Sequence, residues 1–151
     1  MSEAPVIAAL RVALHALFLF GTVGTGVELL LLGHTEDIWQ LLPLLLMGLS
    51  LPAWAWWLAR RRRISLRSFQ AVMGLFVLSG FTGLVLHFRG NVEFELEMYP
   101  SLAGLPLWWE AVRGATPTLA PGTMIELGFL GLATTYRAPL RAEPDIKERS
   151  A

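Results

Sequence analysis

The chain of 151 residues is 54% hydrophobic and only 16% charged, and its formal net charge at pH 7 is zero. A mean hydropathy of +0.54 disfavours a soluble domain and favours a membrane protein. The absence of Cys excludes disulfides, thiolate metal centres, iron–sulfur clusters and thiol redox chemistry.

Four apolar segments are predicted to cross a membrane. They cover about residues 12–32, 38–59, 69–88 and 119–136. Each is close to the roughly 20 residues that cross a hydrocarbon core of about 30 Å as a helix. Buried helices of a soluble protein are the alternative, but the remaining polar sequence is too short to cover such a core. We therefore predict an all-α integral membrane protein in which residues 1–137 form a four-transmembrane-helix bundle.

The first span contains a carboxyl group, Glu28. The span ends near Leu32, which places Glu28 about 6 Å inside its outer boundary. Gly21 and Gly24 share a helical face with Glu28, and small residues allow another helix to approach closely. The pattern predicts that Glu28 faces a neighbouring helix.

The second span lies between Trp39 and a cluster of three tryptophans, Trp54, Trp56 and Trp57. Such clusters are typical of the aromatic belts at the membrane surface. An arginine-rich loop follows, with Arg60, Arg61, Arg62, Arg63 and Arg67.

These arginines are predicted to determine the topology. Ten of the twelve basic residues fall on one side of a four-span bundle, which predicts that both termini are cytoplasmic in a cell (inner) membrane. Residues 138–151 then form a polar cytoplasmic tail. The arginine run is also compatible with an anionic-lipid or nucleic-acid patch. Its topological role is sufficient, and no nucleic-acid partner is predicted.

The third span ends at His87 and Arg89, and an extracytoplasmic cap at residues 89–118 follows. Arg89 is a candidate ion-pair partner for an intramembrane carboxylate. Alternation between Val92 and Met98 predicts a half-buried strand. Residues 106–113, with Pro near the start and Gly114 just after, predict a short helix. His34 lies at the same end as His87, so a haem or a divalent metal between them is conceivable, but no local signature supports either.

The fourth span contains a second carboxyl group, Glu126, at a depth similar to that of Glu28. Thr123 and Glu126 also match a capping box, which would give a helix of only about 13 residues, too short to cross. We expect instead a start near Thr118 and an intramembrane Glu126.

We predict an accessory or assembly subunit of a larger membrane complex, with other membrane subunits or copies of itself as partners. Two alternatives stay open: a small proton-coupled transporter based on Glu28 and Glu126, and a redox module that binds haem or quinone. The candidate ligand- or proton-binding residues are Glu28, Glu126, His87 and Arg89. No catalytic residue, metal site or required cofactor is assigned, and an enzyme is disfavoured because motifs such as H-E-x-x-H are absent.

Overall fold

The computed structural model describes residues 3–141, and their side chains from residue 6 onward. Within these residues the fold is entirely helical, with α1 (Glu3–Leu31), α2 (Ile38–Arg60), α3 (Arg63–Met98), α4 (Gly104–Arg113) and α5 (Gly122–Thr134). Three of them, α1, α2 and α3, are long and apolar enough to cross a membrane. The prediction of an all-helical membrane protein is confirmed at this level. Most of the predicted polar tail, residues 142–151, lies outside the described residues.

Local signals explain where the first helices end and begin. Gly33 has a φ of +66°, a left-handed conformation that favours glycine, and it terminates α1. Asp37 then caps α2, since its carboxylate accepts a hydrogen bond of 2.9 Å from the N–H of Gln40. Arg61, with a φ of 51°, ends α2 and turns the chain into α3.

Helices α1, α2, α3 and α5 form a bundle in which α5 packs against α3 and α1, and α2 packs against the same two helices. An aromatic core lies between them. The rings of Trp57 and Phe69 stack with 5.6 Å between centroids, and Phe18 meets Phe69 edge-on at 5.6 Å. The same core contains Leu46, Met47, Val72, Met73, Phe76, Met124 and Leu127.

Glycines allow α3 and α5 to approach closely. A Cβ added to Gly80 would lie 2.5 Å from Ile125 Cγ1 and 2.9 Å from the Pro121 carbonyl oxygen. A Cβ on Gly83 would lie 2.7 Å from Pro121 Cβ. No larger residue fits at either position without separating the two helices.

Helix α5 has 13 residues and is shorter than the three helices that are long enough to cross a membrane, so the fourth predicted span is not confirmed. The helix is as short as the capping-box alternative requires, yet Thr123 does not cap it, because the helix begins at Gly122 and the N-cap is Pro121. Turns continue the winding on both sides, at residues 118–121 and 135–137. The predicted helix start near Thr118 is therefore wrong: Thr118 begins a turn, and the helix starts four residues later at Gly122.

The strand predicted for residues 92–98 is wrong. Helix α3 continues through this segment and reaches 36 residues, or about 54 Å, which exceeds a hydrocarbon core of about 30 Å. Its Glu, Leu and Met residues are good helix formers, and Asn91 and Glu95, one turn apart, are the more buried positions. The predicted short helix is confirmed as α4, which packs on α3.

Eight of the ten basic residues in the described part of the chain, all except Arg89 and Arg113, lie at one end of the bundle, here called the basic end. Arg11 Nη2 donates to the carbonyls of Tyr136 and Arg137, at 3.4 and 3.3 Å. The N–H of Arg141 donates to the Arg61 carbonyl at 2.9 Å. Since α1, the α2–α3 loop and the segment after α5 meet here, α5 runs antiparallel to α3. The opposite end, with residues 32–37, the last turns of α3 and α4, is the α4 end.

Candidate functional site

Glu28 and Glu126 are both exposed on the surface of the bundle. For Glu28 this overturns the prediction that it faces a neighbouring helix. Gly21 does contact α5, but Gly24 is exposed, and a Cβ there would meet nothing within 4 Å. At the level of Glu28 along the bundle, the fourth segment forms the turn at residues 118–121 and not helix α5. Glu28 therefore has no residue of helix α5 beside it.

The two carboxyl groups also differ in depth. A Cβ on Gly21 would lie 2.6 Å from Leu127 Cδ2, which fixes the register of α1 against α5. Glu28 lies seven residues beyond Gly21, or about 10 Å, whereas Glu126 lies about 1.5 Å beyond Leu127. The two carboxyls are therefore separated by about 9 Å along the bundle and do not have the similar depth predicted, although both lie on the side formed by α1 and α5.

Arg89 is exposed and does not form the predicted ion pair. Within residues 6–141 the sole ion pair is Glu110–Arg113, at 3.9 Å. An exposed pair of this kind contributes little stability. The structure thus leaves Glu28 and Glu126 without a cationic neighbour in the described part of the chain.

His87 faces the connection between α4 and α5. Its Nδ1 lies 3.0 Å from the Pro117 carbonyl oxygen. A carbonyl can only accept, so the shared proton is on Nδ1 and Nε2 remains an acceptor in the neutral ring. His87 therefore helps to hold this connection against α3.

His34 lies close to His87 at the α4 end. Burial lowers the pKa of His34, and the positive charge of His87 lowers it further, while Asp37 opposes the shift. The expectation that the two histidines share one end is confirmed. Among the described side chains no group of three or more His, Cys, Asp or Glu residues is arranged to hold a metal ion.

Asn91, which sequence analysis did not single out, is the centre of a buried polar network. It is 1% exposed. Its Nδ2 lies within hydrogen-bond distance of three acceptors, the Ala111 carbonyl at 2.9 Å, the Thr116 carbonyl at 2.8 Å and the Thr118 hydroxyl at 3.0 Å, which share its two hydrogens. Its Oδ1 accepts from the Thr116 N–H at 3.1 Å and from the Thr116 hydroxyl. One side chain thus fastens α4 and the following connection to α3.

The tryptophans of α2 differ from the predicted belt. Trp57 is fully buried in the core, and the indole N–H of Trp54 donates to His15 Nδ1 at 3.1 Å. Trp39 at the other end of α2, 55% exposed, and Trp56, 43% exposed, keep the position typical of a surface belt. Helix geometry explains this, because residues at the end of a helix face different directions and α1 and α3 flank α2 here.

Two concave surfaces lie at the basic end. The larger, about 660 Å³, is an open groove between α1, α3 and α5, which is bridged by a 3.0 Å hydrogen bond from Gln70 Nε2 to the Thr135 hydroxyl. The smaller, about 290 Å³, is lined by Trp56, Arg60, Arg62 and Ile64. Neither contains Glu28 or Glu126.

Comparisons with models of known families, with curated proteins and with solved structures give no match to this chain. The function is therefore inferred from the geometry of its own residues.

Proposed function

We propose that the chain crosses a cytoplasmic (inner) membrane four times, with both termini in the cytoplasm. Helix α5 alone rises about 20 Å. The turns at residues 118–121 and 135–137 add about 2 Å per residue, so the wound segment exceeds a core of about 30 Å. The convergence of arginines at the basic end supports a cytoplasmic location for that end.

We propose further that the protein is an accessory or assembly subunit of a larger membrane complex. The observation that supports this is the exposure of Glu28 and Glu126 on the α1–α5 side of the bundle. A charged side chain facing hydrocarbon costs about 3 kcal/mol on insertion scales. A polar surface on a partner chain would remove that cost.

The depth of Glu126 strengthens this proposal. Its neighbour Ile125 contacts Gly80, which lies thirteen residues, or about 20 Å, from Arg67 along α3. If Arg67 marks one boundary of a core of about 30 Å, Glu126 lies inside the hydrocarbon. Glu28 lies closer to the far boundary, where a partner could extend from the membrane into the water phase.

The same orientation weakens the alternative of a proton-coupled carrier. Such a carrier needs its carboxyl groups along a path through the protein, but Glu126 faces outward. At its level the interior is filled by Phe76, Met124 and Leu127, all buried. For a haem or quinone module, the proximity of His34 and His87 is the one supporting observation.

Photo-cross-linking in native membranes tests the subunit proposal. A photoreactive residue replaces Phe129, 58% exposed and on the same face of α5 as Glu126. The control replaces Leu49, 52% exposed on α2. We expect a cross-linked product of defined mass from position 129 and none from position 49.

Three results would contradict the proposal. A product of twice the mass of the chain would identify a second copy rather than another subunit. Equal labelling from both positions would show random collisions. Recovery of the chain alone in several mild detergents, with no product from position 129, would exclude a stable complex.

A further inference from the structure

The α2–α3 loop forms a concave surface of about 290 Å³ at the basic end. Trp56 and Arg60 lie on the same face of α2, because they are one turn apart. Arg62 and Ile64 approach from the other side of the left-handed turn at Arg61. Two guanidinium groups and two apolar side chains therefore border one depression.

The guanidinium groups of Arg60 and Arg62 are exposed and lack a carboxylate partner in the described part of the chain, where the ion pair Glu110–Arg113 lies at the opposite end. Like charges that border one concavity repel each other, and the attraction of both to a bound anion would offset that repulsion. Arginine is suited to this because its planar group binds phosphate oxygens through two parallel hydrogen bonds.

The start of α3 adds to the attraction for an anion. Arg62 is its N-cap, and Ile64 lies in its first turn. The first N–H groups of a helix have no partner within it, and the helix dipole places positive charge there. This contribution supplements the two arginines.

The apolar part of the wall indicates what kind of anion fits. Trp56 is 43% exposed and Ile64 is 63% exposed. Trp56 lies at the end of the apolar length of α2, and Ile64 lies just before that of α3. Tryptophan and arginine together are typical of the level of lipid headgroups. A soluble anion would contact the arginines alone, whereas an amphiphile also contacts Trp56 and Ile64.

We propose that this surface, the Arg60–Arg62 site, binds an anionic phospholipid. The guanidinium groups of Arg60 and Arg62 bind the oxygens of the phosphodiester, and Trp56 and Ile64 contact the beginning of the acyl chains. This assigns two arginines of the loop a specific ligand in addition to their effect on topology, and it is independent of the proposed subunit function.

Binding of phosphatidylglycerol to the purified full-length chain in detergent tests the proposal, with native mass spectrometry as readout and phosphatidylcholine as the zwitterionic reference. The variant R60Q/R62Q is compared with R63Q/R67Q, which removes the same charge from exposed arginines outside the site. We expect about tenfold or more weaker phosphatidylglycerol binding in R60Q/R62Q and less than about twofold in R63Q/R67Q.

A third variant, Trp56→Ala, separates lipid from free phosphate. We expect it to weaken phosphatidylglycerol binding, while inorganic phosphate at millimolar concentration fails to displace the lipid. Equal losses in the two double variants would indicate diffuse attraction and overturn the site. Displacement by inorganic phosphate would show that the arginines bind a soluble anion, and it would overturn the proposal that the ligand is a phospholipid. Circular dichroism and Tm confirm that each variant is folded.

Discussion

The four-helix bundle and the α4 end are held together by different interactions. In the bundle, helices meet through glycines and a stacked aromatic core. At the α4 end, one buried amide, Asn91, makes hydrogen bonds to α4 and to the connection that follows it. Lipid chains are as apolar as the helix surfaces, so close packing has to hold helices within a membrane. In the proposed topology the α4 end lies beyond the hydrocarbon, where a directional polar network can determine the position of a short helix.

The polar groups of the two regions show the same difference. In the bundle, Thr22 Oγ1 and the indole N–H of Trp57 are buried without a hydrogen-bond partner. At the α4 end, both polar atoms of Asn91 are used. The core of the bundle is therefore closely packed even where polar atoms are left without a hydrogen-bond partner. We expect the bundle to respond to changes of volume and the α4 end to respond to loss of polar groups.

The largest expected effect is that of Gly80→Ala in the bundle. The added Cβ would lie 2.9 Å from the backbone N of Ile125 and the Pro121 carbonyl oxygen, and backbone atoms cannot move aside as a flexible side chain can. We expect a loss of about 3 kcal/mol in the free energy of unfolding, measured by denaturation in detergent.

Gly74→Ala on the same helix is the matched control. A Cβ there meets nothing within 4 Å, so the variant should gain up to about 1 kcal/mol from the higher helix propensity of alanine. Equal losses in both variants would show that helix propensity, and not the approach of α5, determines the role of Gly80.

Asn91→Ala should have the next largest effect, confined to the α4 end. The Thr116 carbonyl loses its donor, and the Ala111 carbonyl keeps only the longer hydrogen bonds from the Thr118 hydroxyl and the Gly114 N–H, at a cost of about 2 kcal/mol. Hydrogen exchange of residues 104–118 should then accelerate by about tenfold or more, while exchange in α1 and α5 stays unchanged. Thr82→Ala, which removes a hydroxyl bonded within α3, should leave both regions unchanged. Acceleration throughout the chain would mean that the two regions form one cooperative unit.

The sequence predicted the regions that follow from composition and charge. The bounds of α2 agree with the expected span to within one residue, because Asp37 and the arginine run mark its ends. The location of most basic residues at one end of the bundle was predicted from the number of apolar segments between them. The short helix α4 followed from Pro106 and Gly114.

What the sequence missed depends on contacts between distant segments. The partners of Asn91 lie 20 to 27 residues away, and no local pattern indicates them. The alternation between Val92 and Met98 is typical of a strand. The sequence does not show that α4 covers one face of this segment, which is what explains its burial as a helix. The exposure of Glu28 depends on α5 ending in a turn at residues 118–121, which the face shared with Gly21 does not reveal.

The smallest expected effect concerns His34, and it tests whether the α4 end responds to charge as well as to hydrogen bonds. Burial and the nearby charge of His87 lower its pKa below the ordinary value of 6.5, and Asp37 only partly opposes this. Between the lowered pKa and 6.5 the unfolded chain binds more protons than the folded one, so stability decreases as the pH falls through this range. We expect Tm to decrease between pH 7.5 and pH 5.5, and His34→Gln to reduce that decrease. His34 is only partly buried, so solvent limits the effect. A decrease of Tm that is unchanged in His34→Gln would assign the pH response to other groups and leave hydrogen bonding as the main determinant of the α4 end.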